Sequence, residues 1–119
     1  MILKKNTPKK GITVLIPFPF TDLSDNKVRP AVVISNNLKG NDVIVAFISS
    51  KKLKELQPTD ISIKETDRSF RLTGLKTNST IKLSKLATLE KKIILGELGK
   101  ISVETEKEIT KKLKMIFGI

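Results

Sequence analysis

The chain contains no cysteine, histidine, tryptophan or tyrosine. Without histidine there is no imidazole general base, no Ser-His-Asp triad and no histidine metal ligand. Without cysteine the usual zinc sites are gone as well. No disulfide can form, so the core must hold the fold, and a reducing cytoplasm is the expected setting. Catalysis, if present, must come from Arg, Lys, Ser, Thr, Asp or Glu. Long apolar runs are missing too. The longest, Val43 to Ile48, is far too short to span a bilayer, so no membrane partner is expected. Lys4, Lys5, Lys9 and Lys10 ahead of the apolar stretch from Gly11 to Phe20 mimic a signal peptide. Pro17 and Pro19 break that stretch, and Thr21 and Asp22 stand where a small-residue cleavage site belongs, which argues against secretion.

Acidic residues are scarce: 12 Asp plus Glu face 23 Lys plus Arg in 119 residues, a formal charge of +11. That excess points to a polyanionic partner, either nucleic acid, an acidic protein segment or an anionic surface. Twenty of the basic residues are Lys and three are Arg, a bias that solvated surface lysines also produce. Charge alone leaves both readings open. The hydrophobic fraction of 39% at this length fits one domain with a real core. Residues 1–10 are expected to form a basic, loosely held head, and 11–119 a single domain.

Strand-like segments follow one another closely. Ile12, Val14 and Ile16 alternate with Thr13 and Leu15, and Pro17 and Pro19 end the pairing. Thr21 to Arg29 is polar and turn-forming. Ala31 to Ser35 reads as a second strand and Asp42 to Ser49 as a third, apolar enough for burial on both faces. Ser50 to Pro58 is a basic loop. Thr59 to Lys64 and Ser79 to Leu83 alternate again. Glu65 to Leu75 reads equally as a loop or a short helical turn. Lys91 to Ile101, interrupted by Gly96 and Gly99, suggests a bent or bulged strand. The end differs: Ile109, Leu113, Ile116 and Phe117 share one helical stripe, with Ser102 as N-cap, Glu104 and Glu106 in the first turn and Gly118 as stop. The expected fold is therefore mainly β, five to seven short strands in a strongly bent sheet or barrel, with a C-terminal helix packed on it.

Two positions carry chemistry. Arg29 follows a polar loop, and Pro30 restricts its backbone to extended conformations, so the guanidinium is presented from the sheet rim in a fixed direction. Ser49 and Ser50 place hydroxyls at the end of the apolar third strand, where polar residues also simply terminate strands.

The segments VLIPFPFTDL, KVRPAVVIS, DVIVAFISS, QPTDISI and TGLKTNSTIKLSKLATLEKKIILGELGKIS, in this order, resemble the MazF/PemK family of toxin–antitoxin endoribonucleases. The likeness runs from Gly11 to about Phe117. It implies an SH3-like β-barrel of the MazF/PemK/CcdB type, and a metal-independent ribonuclease that needs no cofactor. In that reaction the RNA 2′-hydroxyl attacks the adjacent phosphorus, leaving a 2′,3′-cyclic phosphate and a 5′-hydroxyl. The resemblance assigns catalysis to Arg29, whose planar fork can hold phosphate oxygens bidentately, and to Ser49, whose hydroxyl can donate to a non-bridging oxygen. It implies RNA contacts at Lys27, Ser50, Lys51, Lys52 and Lys82, with Lys54 extending the basic track. The Arg-x-Asp pattern typical of the family's PemK-like branch is replaced here by Lys82, Leu83 and Ser84, and the usual Gly-Asp of the first strand by Gly11 and Ile12. Asp22 and Ser84 are thus the candidates left for acid–base work. The implied partners are RNA, an acidic antitoxin segment that folds across the toxin, and a second copy in a homodimer. A catalytically impaired nucleic-acid-binding module is the alternative, motivated by Ser84. A gyrase poison of the CcdB kind shares the barrel but not the Arg29 and Ser49 blocks.

Of the five phenylalanines, Phe47 and Phe117 are expected in the core. Phe18 and Phe20 alternate with prolines near the rim and could also face a stacked base.

Overall fold

A computed structural model describes residues 8–17, 27–36, 40–52 and 54–119. Asp22, Phe18 and Phe20 lie outside the described residues. The described residues form six strands: β1 (Ile12–Pro17), β2 (Val28–Val33), β3 (Asp42–Ser49), β4 (Asp60–Ile63), β5 (Ser79–Glu90) and β6 (Gly96–Lys100). One helix, α1 (Val103–Phe117), closes the chain. The strands form one sheet in the order β4-β5-β3-β2-β1-β6, and every neighbouring pair is antiparallel. The sheet curls into a half-barrel with β4 and β6 as its edges.

Strand boundaries follow the side-chain alternation where it is unbroken. β3 covers the expected residues. β2 begins three residues before Ala31 and stops at Val33, because Val28, Arg29 and Pro30 pair with Pro17, Ile16 and Leu15 of β1. β5 extends seven residues beyond Leu83. Its register on β3 jumps from Phe47–Lys82 to Ala46–Leu86, leaving Leu83, Ser84 and Lys85 as a bulge. The bulge resets the inward-facing parity: Ile81 and Leu83 point to one core and Ala87 and Leu89 to the other, so period-2 reasoning loses the strand there.

Two apolar clusters hold the sheet. One joins Val32, Ala46, Ile48, Ile61, Ile63, Ile81 and Leu83 to Ile109 of α1, with Leu113 and Ile116 packed on it. The other, on the opposite face, contains Val14, Ile16, Ala31, Val33, Val43, Val45 and Leu89, with Phe47 beside it. Phe117 departs from its expected place. It is 59% exposed, since the stripe turns off the sheet after Ile116 at the last helical turn. Ser102 caps α1 as expected: its Oγ accepts from the Thr105 N–H at 3.1 Å. Gly118 takes the left-handed conformation at φ 67° and ends the helix.

A 3-10 turn, Phe70–Thr73, lies across β6. Gly99 makes that approach possible, because a Cβ there would stand 2.0 Å from the Leu72 carbonyl oxygen. The buried Thr13 hydroxyl donates to the Thr73 carbonyl at 2.7 Å and ties the turn to β1.

Candidate active site

The β2–β3 ladder runs Val33–Val45, Val32–Ala46, Ala31–Phe47 and then stops. The reason is Pro30. Ile34 N–H donates to Ile44 on β3, so alternate residues 32 and 30 also direct their backbone groups to β3. Pro30 has no N–H to offer and cannot extend the ladder. Continuing the same register two residues brings Arg29 level with Ser49. The two residues that the sequence singles out thus stand on neighbouring strands at the mouth where β2 and β3 part. Arg29 is half-buried and remains in register with Ile16 of β1 on its other side.

Both side chains belong to the face opposite α1. Val32 and Ile48, their neighbours of opposite parity, point into the helix-side core. On the same open face, Ser49 is in register with Thr80 of β5, and Thr80 with Ser62 of β4. The adjacent row reads Ala31, Phe47, Lys82 and Asp60. The open face is therefore apolar under β1 and the start of β3, and polar from Arg29 across to the β4 edge.

Ser49 is prepared as a donor. Its Oγ accepts the Lys51 N–H at 3.2 Å, which uses a lone pair and leaves the hydroxyl proton free to point outward. Ser50, Lys51 and Lys52 are exposed on the loop that follows, as is Lys54. Lys27 is exposed directly ahead of β2. Arg29, Ser49 and this basic loop come together at one end of the sheet.

Lys82 stands on the same face, but not as a freely solvated lysine. Its Nζ lies 3.1 Å from Oδ1 of Asp60, whose side chain is completely buried. That oxygen is held by charge rather than by a well-directed hydrogen bond. The other oxygen, Oδ2, accepts the Gln57 N–H at 2.9 Å. From behind, Lys112 of α1 donates to the carbonyls of Pro58 and Asp60, each at 3.0 Å, and fixes the entry to β4. Sequence reasoning missed Asp60. Its signal was a carboxylate flanked by Thr59 and Ile61 in an alternating strand, a position that without tertiary pairing reads as a strand end. Ser84 is exposed in the β5 bulge, two residues beyond Lys82.

An antiparallel half-barrel with one C-terminal helix is also the fold of solved MazF-type toxins. An endoribonuclease from a mycobacterial species, solved with its cognate antitoxin, superposes with a TM-score of 0.72 at 18% identity, covering 95% of this chain and 97% of that one. MazF from Deinococcus radiodurans superposes with a TM-score of 0.71 at 18% identity, covering 96% and 99% of the two chains. No curated protein sequence matches the chain. The family model of PemK-like, MazF-like toxins of type II toxin–antitoxin systems matches residues 9–117, and the chain belongs to that family.

Proposed function

We propose that this protein is a toxin that cleaves RNA by internal transesterification. What supports the reading is the β2–β3 register, which, extended two residues past Ala31–Phe47, sets Arg29 opposite Ser49. A phosphodiester seated there meets the guanidinium fork on its two non-bridging oxygens, and the Ser49 hydroxyl donates to one of the same two. The 2′-oxygen attacks phosphorus as its proton passes to solvent, the P–O5′ bond breaks, and the 5′-oxygen takes a proton from solvent and departs as a hydroxyl, giving a 2′,3′-cyclic phosphate. Negative charge grows on the phosphorane oxygens, and Arg29 stabilises it without being deprotonated. This reading assigns charge stabilisation to Arg29 and Ser49 and needs no metal.

Lys82 supplies a second positive charge diagonal to Ser49, at a cross-strand distance of roughly 7–8 Å. Asp60 orients it. The exposed Lys51, Lys52 and Lys54 carry the flanking phosphates. The partners follow from charge. A chain at +11 attracts RNA and an acidic antitoxin segment alike, and MazF of Deinococcus radiodurans has been solved together with MazE. We place the protein in the cytoplasm as a homodimer. No described helix is long and apolar enough to cross a membrane.

The test is incubation of the purified protein with mixed-sequence RNA in EDTA, followed by end-group mapping. Cleavage leaving 5′-hydroxyl ends is expected. Products bearing 5′-phosphates, or activity that appears only with added magnesium, would refute the mechanism. RNA binding without cleavage would favour the impaired binding module, which the exposed Ser84 in place of an acid motivates.

A further inference from the structure

β5 is longer than the strand on its outer side. β4 pairs only with Ser79 to Lys82, whereas β3 follows β5 as far as Glu90. Beyond the bulge, β5 has β3 on one side and no described strand on the other. The pairing fixes which backbone groups face that gap. The Ile44 carbonyl accepts from Ile34 of β2 at 2.9 Å, and the Ile44 N–H donates to Ser35 Oγ at 3.0 Å. Both groups of Ile44 thus face β2, so Val43 and Val45 face β5, opposite Leu89 and Ala87. The Lys91 N–H, in the same parity, donates back to the Asn41 carbonyl at 2.7 Å. Leu86 and Thr88 consequently direct their backbone N–H and C=O groups outward. An open edge of this kind is a template for another strand.

The stretch is neutral in a strongly basic chain. Leu86, Ala87, Thr88 and Leu89 carry no charge, against a net +11 for the whole sequence. An exposed aromatic ring flanks it. α1 contacts both β4 and β5. One side of the helix places Lys112 on the Pro58 and Asp60 carbonyls, and another places Glu106 against Gly11. The Gly11 N–H donates to the Val33 carbonyl, and the row of Val33 runs through Val45 to Ala87. Phe117 follows Glu106 by about three helical turns and so shares its face. The helix thereby carries Phe117 towards the end of that row, where β4 is missing. Phe117 is left largely exposed there.

We propose that a second copy of this chain docks on the open β5 edge, antiparallel about a two-fold axis, with Phe117 of each copy packed beside the paired strands. The proposal rests on the homodimer placed above and names its face. Missing charge selects the occupant. RNA or an acidic segment is drawn to cations, and residues 86–89 offer none. A copy of the chain supplies an equally neutral strand, and the two-fold axis repeats every contact. Interface cores are depleted in charge and enriched in aromatic residues, as this edge and Phe117 are.

Sedimentation equilibrium of wild type, Thr88→Ala, Thr88→Pro and Phe117→Lys tests the face. Wild type and Thr88→Ala should both be dimers, since alanine keeps the outward N–H. Thr88→Pro deletes that N–H without touching the β3 ladder. It should raise the dimer dissociation constant by about thirtyfold, the equivalent of two ordinary hydrogen bonds per dimer. Phe117→Lys changes an exposed residue and sets two cations in the interface, which should weaken the dimer by at least about tenfold. Amide exchange of the wild type gives a reading without any variant. The Leu86 and Thr88 amides should be protected in the dimer and exchange freely on dilution. A dimer that keeps its affinity in both weakening variants, or whose Leu86 and Thr88 amides exchange freely, overturns this face and leaves the homodimer standing. A monomeric wild type overturns both. Protection of the two amides only after poly-glutamate is added gives the edge to an acidic partner and overturns the proposal as well.

Discussion

Lys82 and Asp60 form an unequal pair: their charged atoms lie 3.1 Å apart, yet the carboxylate side chain is 0% exposed and the lysine side chain 19%. Removing either partner therefore leaves a different residue of the pair behind. In Lys82→Met a buried carboxylate loses its counter-charge. In Asp60→Asn the lysine can turn its ammonium to water. Lys82→Met should cost about 3 kcal/mol of stability, at the lower end for a broken buried pair. Asp60→Asn should cost about 1–2 kcal/mol, the scale of a weakened polar contact. Urea unfolding of the two variants checks this. Equal losses, or the reverse order, would contradict the assigned asymmetry.

Arg29→Lys keeps the positive charge and loses the bidentate fork. Cleavage should slow by at least about a hundredfold, the scale of one lost transition-state donor, with a much smaller change in RNA affinity. Ser49→Ala should cost a smaller factor, because a neutral hydroxyl is the weaker donor. Single-turnover rates at saturating RNA separate these effects from binding. A wild-type rate in Arg29→Lys would remove Arg29 from the chemistry.

Lys51, Lys52 and Lys54 are exposed on the loop that leaves Ser49. If they carry phosphates, replacing all three by Gln should flatten the salt dependence of single-stranded RNA binding. The slope should fall by about 0.7 for each phosphate that is no longer neutralised. Titrations at several salt concentrations measure it. An unchanged slope would place the RNA on another face.

Ser84 sits exposed in the β5 bulge, two residues beyond Lys82. Ser84→Asp puts an acid where the sequence resemblance implies one. The turnover rate should rise roughly tenfold, short of the hundredfold or more that a well-placed acid–base group contributes. A rate that is unchanged or lower shows that the proton is taken elsewhere.

Gly96 and Gly99 interrupt the same strand for different reasons. A Cβ on Gly99 would lie 2.0 Å from a backbone oxygen of Leu72 and 2.8 Å from the Thr73 carbonyl carbon, whereas Gly96 has open space. Backbone atoms cannot swing aside as a side chain can. Gly99→Ala should therefore lose about 3 kcal/mol, the upper range of overpacking, and Gly96→Ala less than about 0.5 kcal/mol. Thermal melts of the two variants distinguish them.

Helix α1 was legible because its signals are local: a serine cap, acids in the first turn, a 3.6-residue stripe and a terminal glycine. Even there, Phe117 fits the stripe on paper and lies in solvent, since a helix face says nothing about where the partner surface ends. β5 was half legible. Its alternation breaks at a bulge that is defined by pairing with β3 and invisible along the chain.

The same division runs through the site. Composition alone closed the routes through histidine and cysteine, and Pro30 alone fixed the backbone of Arg29. Those are properties of single residues and their immediate neighbours, so the sequence by itself determined them. That Pro30 points its missing donor at β3, that Arg29 comes level with Ser49, and that a buried Asp60 holds Lys82 beside them depend on strand order and register. Register is a relation between segments far apart in the chain. It is settled by which hydrophobic faces can be buried together, and so only the tertiary structure decided it.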